Sequence, residues 1–185
     1  MAKQTLNEVE DRMKKAVEAL QVDLRGIRTG RASPALVERV RVNYYGTSTN
    51  LVELAAIAAP EPQLLTIRPW DSTALKEIER AILQSDLGLT PANDGKIIRL
   101  MIPALTEDRR RELTRLVAKR VEESRVAVRN CRRDGLARLK EKEKDKEISE
   151  DEFYVGKDDL QKLTDRYIEQ VEQIGAAKEQ EILEI

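Results

Sequence analysis

Apolar residues recur at steps of three and four near the start of the chain: Leu6, Val9, Met13, Val17, Leu20, Leu24 and Ile27. That spacing puts them on one face of an amphipathic helix. The helix is predicted to end where Arg28-Thr29-Gly30-Arg31-Ala32-Ser33-Pro34 brings in a glycine and then a proline. From about residue 36 to 103 the period changes. Val40, Val42 and Tyr44 alternate with Arg41 and Asn43, which predicts a strand punctuated by Tyr45-Gly46. Further extended runs are expected at 49–59 and 63–68, with Pro60 and Pro62 between them. Asp71-Ser72 offers a cap for a helix with Leu75, Ile78, Ile82 and Leu83 on one face, and Trp70 is expected to pack within this region. Gly88, Pro91, Asn93 and Gly95 suggest a loop, and residues 96–102 a last strand closed by Pro103.

Helical spacing then returns. A second long helix is predicted from about Thr106, with Glu107 and Asp108 at the positive end of its dipole. Leu113, Leu116, Val117, Val121, Val128 and Leu139 form its inward stripe. Gly135 interrupts that stripe at about 1 kcal/mol relative to alanine, which close helix packing would explain. The charged run 140–146 has no apolar face and is expected to fray. A third helix opens at Ser149-Glu150-Asp151-Glu152, which has the form of a capping box, and carries Leu160, Leu163, Tyr167, Val171, Ile174 and Ile182.

Three amphipathic helices, each with one face to bury, predict an antiparallel three-helix bundle of residues 1–29 and 106–185. A small mixed α/β domain, residues 30–105, is inserted into it, so the fold class is α+β. Two short linkers join the parts, with Thr29, Gly30 and Arg31 in one and Pro103, Ala104 and Leu105 in the other. They suggest a hinge, and rigid packing of the two domains is the alternative.

Charge sharpens this outline. The chain has 33 basic and 34 acidic residues, yet residues 109–133 hold ten Lys or Arg against three Glu. Residues 149–185 hold eleven Asp or Glu against four Lys or Arg. A local surplus of positive charge attracts polyanions whatever the net charge. At 100° per residue, Arg125, Arg129 and Arg132 fall on one side of the second helix, with Arg111 on the same side. Guanidinium groups in that arrangement suit a phosphate backbone. The alternative is a solvated face neutralised by pairs such as Glu122 or Glu123 with nearby arginines. With only six aromatics, recognition of folded RNA by shape fits better than base stacking.

Other chemistries are thinly provided for. Histidine is absent and Cys131 is the single cysteine. This removes the usual general base and every cysteine–histidine arrangement, and it leaves no disulfide framework. No metal-ligand spacing, phosphate loop or dinucleotide fingerprint occurs. Neither an apolar run of about 20 residues nor an apolar secretory core at the N-terminus is present, so a cytoplasmic protein with no membrane association is expected. A helical scaffold, an enzyme built on carboxylates or lysine, and a generic RNA-binding module remain as competing classes.

Several segments together carry a resemblance: Arg28-Thr29-Gly30-Arg31-Ala32-Ser33-Pro34, Trp70-Asp71, Leu87-Gly88-Leu89 with Pro91, Pro103 to Leu105 with Thr106-Glu107-Asp108-Arg109-Arg110, and Arg129-Asn130-Cys131-Arg132-Arg133-Asp134. In order and spacing the chain resembles the bacterial ribosome recycling factors over essentially its whole length. Cys131 and Gly135-Leu136-Ala137-Arg138 are less typical of that family, and neither departure touches the arginines. The resemblance implies an L-shaped, hinged, non-catalytic monomer without cofactor or metal. Such a protein would bind the large ribosomal subunit through its rRNA. With the GTPase elongation factor G it would split post-termination ribosomes into subunits. By position, Arg129, Arg132 and Arg133 would contact rRNA, as would Arg28 and Arg31 near the hinge and Arg110. The small domain and hinge would face elongation factor G.

Overall fold

The computed structural model describes residues 2–184. Five α-helices and six strands follow in the order α1 (Ala2–Arg25), β1 (Arg41–Tyr44), β2 (Thr47–Asn50), α2 (Leu51–Leu54), β3 (Ala55–Glu61), β4 (Leu64–Pro69), α3 (Leu75–Gln84), β5 (Pro91–Asn93), β6 (Ile98–Met101), α4 (Glu107–Lys144) and α5 (Glu150–Leu183). Two compact units result. One combines the chain up to Arg28 with Glu107–Glu184, and the other is Thr29–Thr106.

In the helical unit, α1, α4 and α5 each bury the stripe their spacing predicts. Val9, Met13, Val17, Leu20 and Leu24 come from α1, Leu113, Val117, Val121, Val128 and Leu139 from α4, and Leu160, Tyr167, Val171 and Ile182 from α5. Cross-helix pairs set the directions. Glu8 meets Arg138 and Arg12 meets Asp134, so numbering falls on α4 as it rises on α1. Arg125 meets Glu172 and Arg132 meets Gln161, which makes α4 and α5 antiparallel too. Glycines allow the helices to approach closely. A Cβ on Gly135 would lie 2.8 Å from Val9 Cγ2, one on Gly156 3.1 Å from Leu139 Cδ1, and one on Gly175 2.5 Å from Val121 Cγ2.

The charged run 140–146 does not fray as its composition suggests. Helix α4 continues to Lys144, because Leu139 and Ile148 are buried on either side of the run. A left-handed residue ends the helix: Lys146 has φ 59°, with Lys146 N–H donating to Glu143 O (3.0 Å) and Glu147 N–H to Lys142 O (2.9 Å). This is the glycine-type helix stop built with a lysine. The capping box is present at the start of α5. Glu152 N–H donates to Ser149 Oγ and Ser149 N–H to Glu152 Oε2.

The inserted unit has its own core, which includes Val37, Val42, Leu51, Leu65, Ile67, Ile78, Ile82, Ile98 and Leu100. A four-stranded antiparallel sheet in the order β3-β4-β6-β5 supplies much of it, with β1-β2 as a separate hairpin. Here the structure corrects the sequence reading at several points. The extended run expected over 49–59 is broken by α2, since Leu51 must turn inward to full burial. Pro91–Asn93 is a strand rather than loop. It pairs at the sheet edge, where a proline lacking its N–H is tolerated. Leu83 is 58% exposed, one step off the buried face of α3. Trp70 is 72% exposed and does not pack in the core. Its neighbour Asp71 does cap, accepting from Thr73 N–H at 2.9 Å, but a short 3-10 turn precedes α3.

Candidate nucleic-acid interface

Helix α4 carries the basic surplus over 38 residues. Its core-facing positions fix which side remains for the arginines. Residues that bond to α1, namely Asp134 and Arg138, lie on one flank, and Arg125 and Arg132, which reach α5, lie on the other. By helical period, Arg129 and Arg133 follow Arg125 and Arg132 outward on that second flank. The projection therefore places the cations correctly but understates how close two of them come to the core. Arg125 and Arg132 are half-buried, whereas Arg129 and Arg133 are exposed.

Pairing divides these cations. Arg109 bonds Glu112 (2.7 Å), Arg111 bonds Glu107 and Arg120 bonds Glu123 (3.0 Å). Arg125 meets both Glu122 (2.7 Å) and Glu172 (3.4 Å). For these four the ion-paired alternative describes the structure. Arg129 reaches Glu122 only at 4.0 Å. Arg132 Nη1 donates to the neutral Gln161 Oε1 at 2.8 Å, and Arg133 donates to Asn130 Oδ1. Among the described residues, Arg110, Arg115, Lys119, Arg132 and Arg133 meet no carboxylate within 4.0 Å. A neutral acceptor orients a guanidinium without cancelling its charge, so Arg132 and Arg133 are both fixed and fully cationic. The Nε of Arg110 and of Arg132 is shielded and makes no hydrogen bond, and that of Arg125 has only the 3.4 Å approach to Glu172 Oε1. Gln161 is the residue that sequence reasoning missed. Its one sequence signal is local, since its amide also donates to Asp165 Oδ1, four residues on, at 2.8 Å.

Arg28 and Arg31 are exposed, in different compact units. Gly30 has φ 73°, and a Cβ there would lie 3.1 Å from Leu105 Cγ and 3.4 Å from Pro103 O. The two linker segments thus lie against each other where they enter the inserted unit. Thr29 is buried, Pro103 and Ala104 are exposed and Leu105 is half-buried.

Other chemistry stays structural. Cys131 is buried, and burial pushes its thiol pKa up, away from a reactive thiolate. The hydrogen bond to Asp134 holds Arg12 still more firmly protonated. Burial, followed by donation to Glu10, raises the Tyr167 phenol; Glu10 also takes Arg166 at 2.6 Å. No group of acidic, cysteine or histidine side chains among the described residues could hold a metal ion. Likewise, no helix among them is long and apolar enough to cross a membrane. An open groove of about 820 Å³ between α1 and α5 is lined by Leu6, Val155 and Leu163, and the Arg166–Glu10 and Lys162–Asp159 pairs lie along it.

The chain is similar to known proteins over its whole length. A family model described as ribosome recycling factor matches residues 20–183. A ribosome-recycling factor of Symbiobacterium thermophilum is 54% identical over 185 residues, covering the whole of both chains. One of Carboxydothermus hydrogenoformans is 55% identical with the same coverage. Among solved structures, a solution structure of a ribosome recycling factor has a TM-score of 0.75 at 43% identity, covering 100% of this chain and 98% of that one. A second structure places the T. thermophilus ribosome recycling factor and the E. coli elongation factor G on the E. coli post-termination complex. It has a TM-score of 0.65 at 45% identity, covering 99% of each chain.

Proposed function

The chain belongs to the ribosome recycling factor family, whose members are non-enzymatic translation factors, and from that premise we propose that it acts on post-termination ribosomes. The helical unit anchors to large-subunit rRNA. With elongation factor G and GTP, the bound protein splits the ribosome into subunits, releasing mRNA and tRNA for new initiation. One observation carries the RNA contact: Arg129, Arg132 and Arg133 project from one flank of α4 with no carboxylate closer than 4.0 Å, two of them steadied by neutral side chains. Guanidinium groups of this kind release counterions on meeting phosphates and donate paired hydrogen bonds. Arg110, Arg28 and Arg31 add to that surface.

No step of the chemistry falls to this chain; GTP hydrolysis belongs to the partner. This chain acts by binding and by movement, as a cytoplasmic monomer. The inserted unit, residues 30–105, turns about the linkers Thr29-Gly30-Arg31 and Pro103-Ala104-Leu105 and passes the partner's motion to the bundle, residues 1–29 and 106–185. The left-handed φ of Gly30 and its contact with Leu105 support a pivot at that point, because only two short segments need to change.

A subunit-dissociation assay on post-termination ribosomes tests the reading. Splitting is expected only when this protein, elongation factor G and GTP are all present. Splitting without this protein would refute the assignment, and splitting that survives a cross-link between the two linkers would refute the pivot.

A further inference from the structure

Helix α5 is acidic, yet the residue it sets against Arg132 is an amide. Residues 150–183 hold ten Asp or Glu against four Gln. One flank of α4 reaches this helix twice. Arg125 Nε lies 3.4 Å from the Glu172 carboxylate, whereas Arg132 Nη1 donates to Gln161 Oε1 at 2.8 Å. The first arrangement opposes a cation with an anion. The second holds a cation in place and leaves its charge whole.

Packing beneath the surface makes the second contact possible. Gly135 lies three residues along α4 from Arg132, and a Cβ there would be 3.3 Å from both Cδ atoms of Leu160. Leu160 is buried, so α4 and α5 meet closely at the position just before Gln161. Gln161 itself is exposed and Arg132 is half-buried. The amide therefore stands at the rim of the helix–helix seam, within reach of a guanidinium carried by α4.

Its neighbours allow the amide one orientation. Gln161 Nε2 donates to Asp165 Oδ1 at 2.8 Å, while Oε1 accepts from Arg132. A carboxylate can only accept and a guanidinium can only donate. Turning the amide over would set N–H against N–H and oxygen against oxygen. The guanidinium is restricted as well. Its Nε is shielded and makes no hydrogen bond, and one hydrogen of Nη1 is engaged by Gln161. What an incoming phosphate oxygen can meet is the outer edge, formed by Nη2 and the remaining hydrogen of Nη1. A free arginine loses much side-chain freedom when it binds, and one already fixed loses less.

We propose that Gln161 is a positioning residue for RNA binding. Set by Asp165 and acting through Arg132, it presents the outer guanidinium edge to a phosphate group, and its neutrality keeps that edge available. The inference rests on the reading that Arg132 meets large-subunit rRNA, and it adds the residue on another helix that prepares Arg132 for that contact.

The test compares the full chain with Gln161→Glu, Gln161→Ala, Arg132→Ala, and Gln161→Glu combined with Arg132→Ala. Affinity for isolated large subunits is measured across a salt series, and melting temperature alongside. Gln161→Glu keeps the size of the side chain but neutralises the guanidinium, so binding should weaken about tenfold, the worth of one charge-assisted contact. The slope of log affinity against log salt should fall by about 0.7–0.9, the share of one phosphate. Gln161→Ala spares the charge and frees the side chain, so binding should weaken about threefold with the slope unchanged. Melting temperatures should stay near that of the unsubstituted protein, because residue 161 is exposed. With Arg132→Ala already in place, Gln161→Glu should have no further effect. A loss that persists in that background overturns the positioning role, since the new carboxylate would then repel RNA by itself. Undiminished binding by Gln161→Glu, with Arg132→Ala weakened, overturns it too. Undiminished binding by Arg132→Ala alone overturns the RNA reading of that arginine and the inference with it.

Discussion

The helical unit and the inserted unit contain almost balanced numbers of acidic and basic residues, but only the helical unit separates them. In the inserted unit eight of each alternate over short elements. In the helical unit the cations gather on α4 and the carboxylates on α5, each over more than 30 residues. Separation needs length. A strand of four residues cannot build a charged face of its own, whereas a helix of 38 residues spans more than 50 Å at about 1.5 Å per residue. The price is like-charge repulsion along α4, which Glu107, Glu112, Glu122 and Glu123 relieve for Arg109, Arg111, Arg120 and Arg125. Cations left without such relief are the ones to which the proposed function assigns phosphate contacts. The inserted unit exposes scattered cations such as Arg68 and Arg99 together with the rings of Tyr45 and Trp70.

The largest effect should come from removing the unrelieved cations. Substituting Arg129, Arg132 and Arg133 together by alanine is expected to weaken large-subunit binding at least about 100-fold, since each charge-assisted contact contributes about 1.5–3 kcal/mol. The slope of log affinity against log salt should flatten at the same time. Arg68→Ala with Arg99→Ala, on the exposed face of the inserted sheet, should leave that affinity unchanged. An equal loss from both sets, measured by sedimentation with large subunits, would erase the contrast between the units.

Packing gives the next effect. Gly175→Ala would place a methyl group 2.5 Å from Val121 Cγ2. Valine on a helix cannot readily change rotamer, so overpacking of about 1–3 kcal/mol should outweigh the gain of about 1 kcal/mol in helix propensity. Denaturant unfolding should show a net loss, largely recovered when Val121→Ala is added. A stabilised Gly175→Ala protein would show that the helices do not meet as closely as the structure has them.

Backbone conformation offers a matched pair, one position in each unit. Lys146→Gly should stabilise the protein by up to about 1 kcal/mol, because glycine takes a positive φ without strain. Gly46→Ala should destabilise it by a similar amount although nothing lies within 4 Å of the new methyl. Opposite signs in thermal melts would establish that conformation, and not contact, governs both sites.

The smallest effect is a dependence on acid. Glu152 is held below the ordinary carboxylate pKa chiefly by Ser149 N–H, and Asp94 chiefly by Ile97 N–H. As the pH falls, the unfolded chain therefore protonates these groups before the folded chain does. Their contribution is present above the unfolded pKa of about 4 and is lost as the pH drops through the lower folded values. Glu152→Gln and Asp94→Asn should each lower the urea midpoint at pH 7, and their difference from the unsubstituted protein should close between about pH 5 and pH 3. A difference that persists in acid would point to lost packing and not lost charge.

Helices declared themselves in the sequence because their apolar period repeats over many turns. The buried stripes of α1, α4 and α5 follow from spacing alone, as does the capping box at Ser149. Short elements were harder to read. Three residues of β5 hold no period, and α2 turns within a run of mixed β-forming and apolar residues. Its place just before the Asp71 cap predicts packing for Trp70, but the ring is exposed.

Sequence by itself determined where the helices run, that a mixed domain interrupts them, and that positive charge collects between residues 109 and 133, because each of these is a property of near neighbours. Tertiary structure alone decided which arginines are neutralised. Glu172 reaches Arg125 and Gln161 reaches Arg132 from another helix. It also decided that Gly135, Gly156 and Gly175 mark close approaches and that Tyr45 and Trp70 stand outward. Those outcomes depend on groups far apart in the chain, and a charge or a ring takes its role from the partner that folding brings to it.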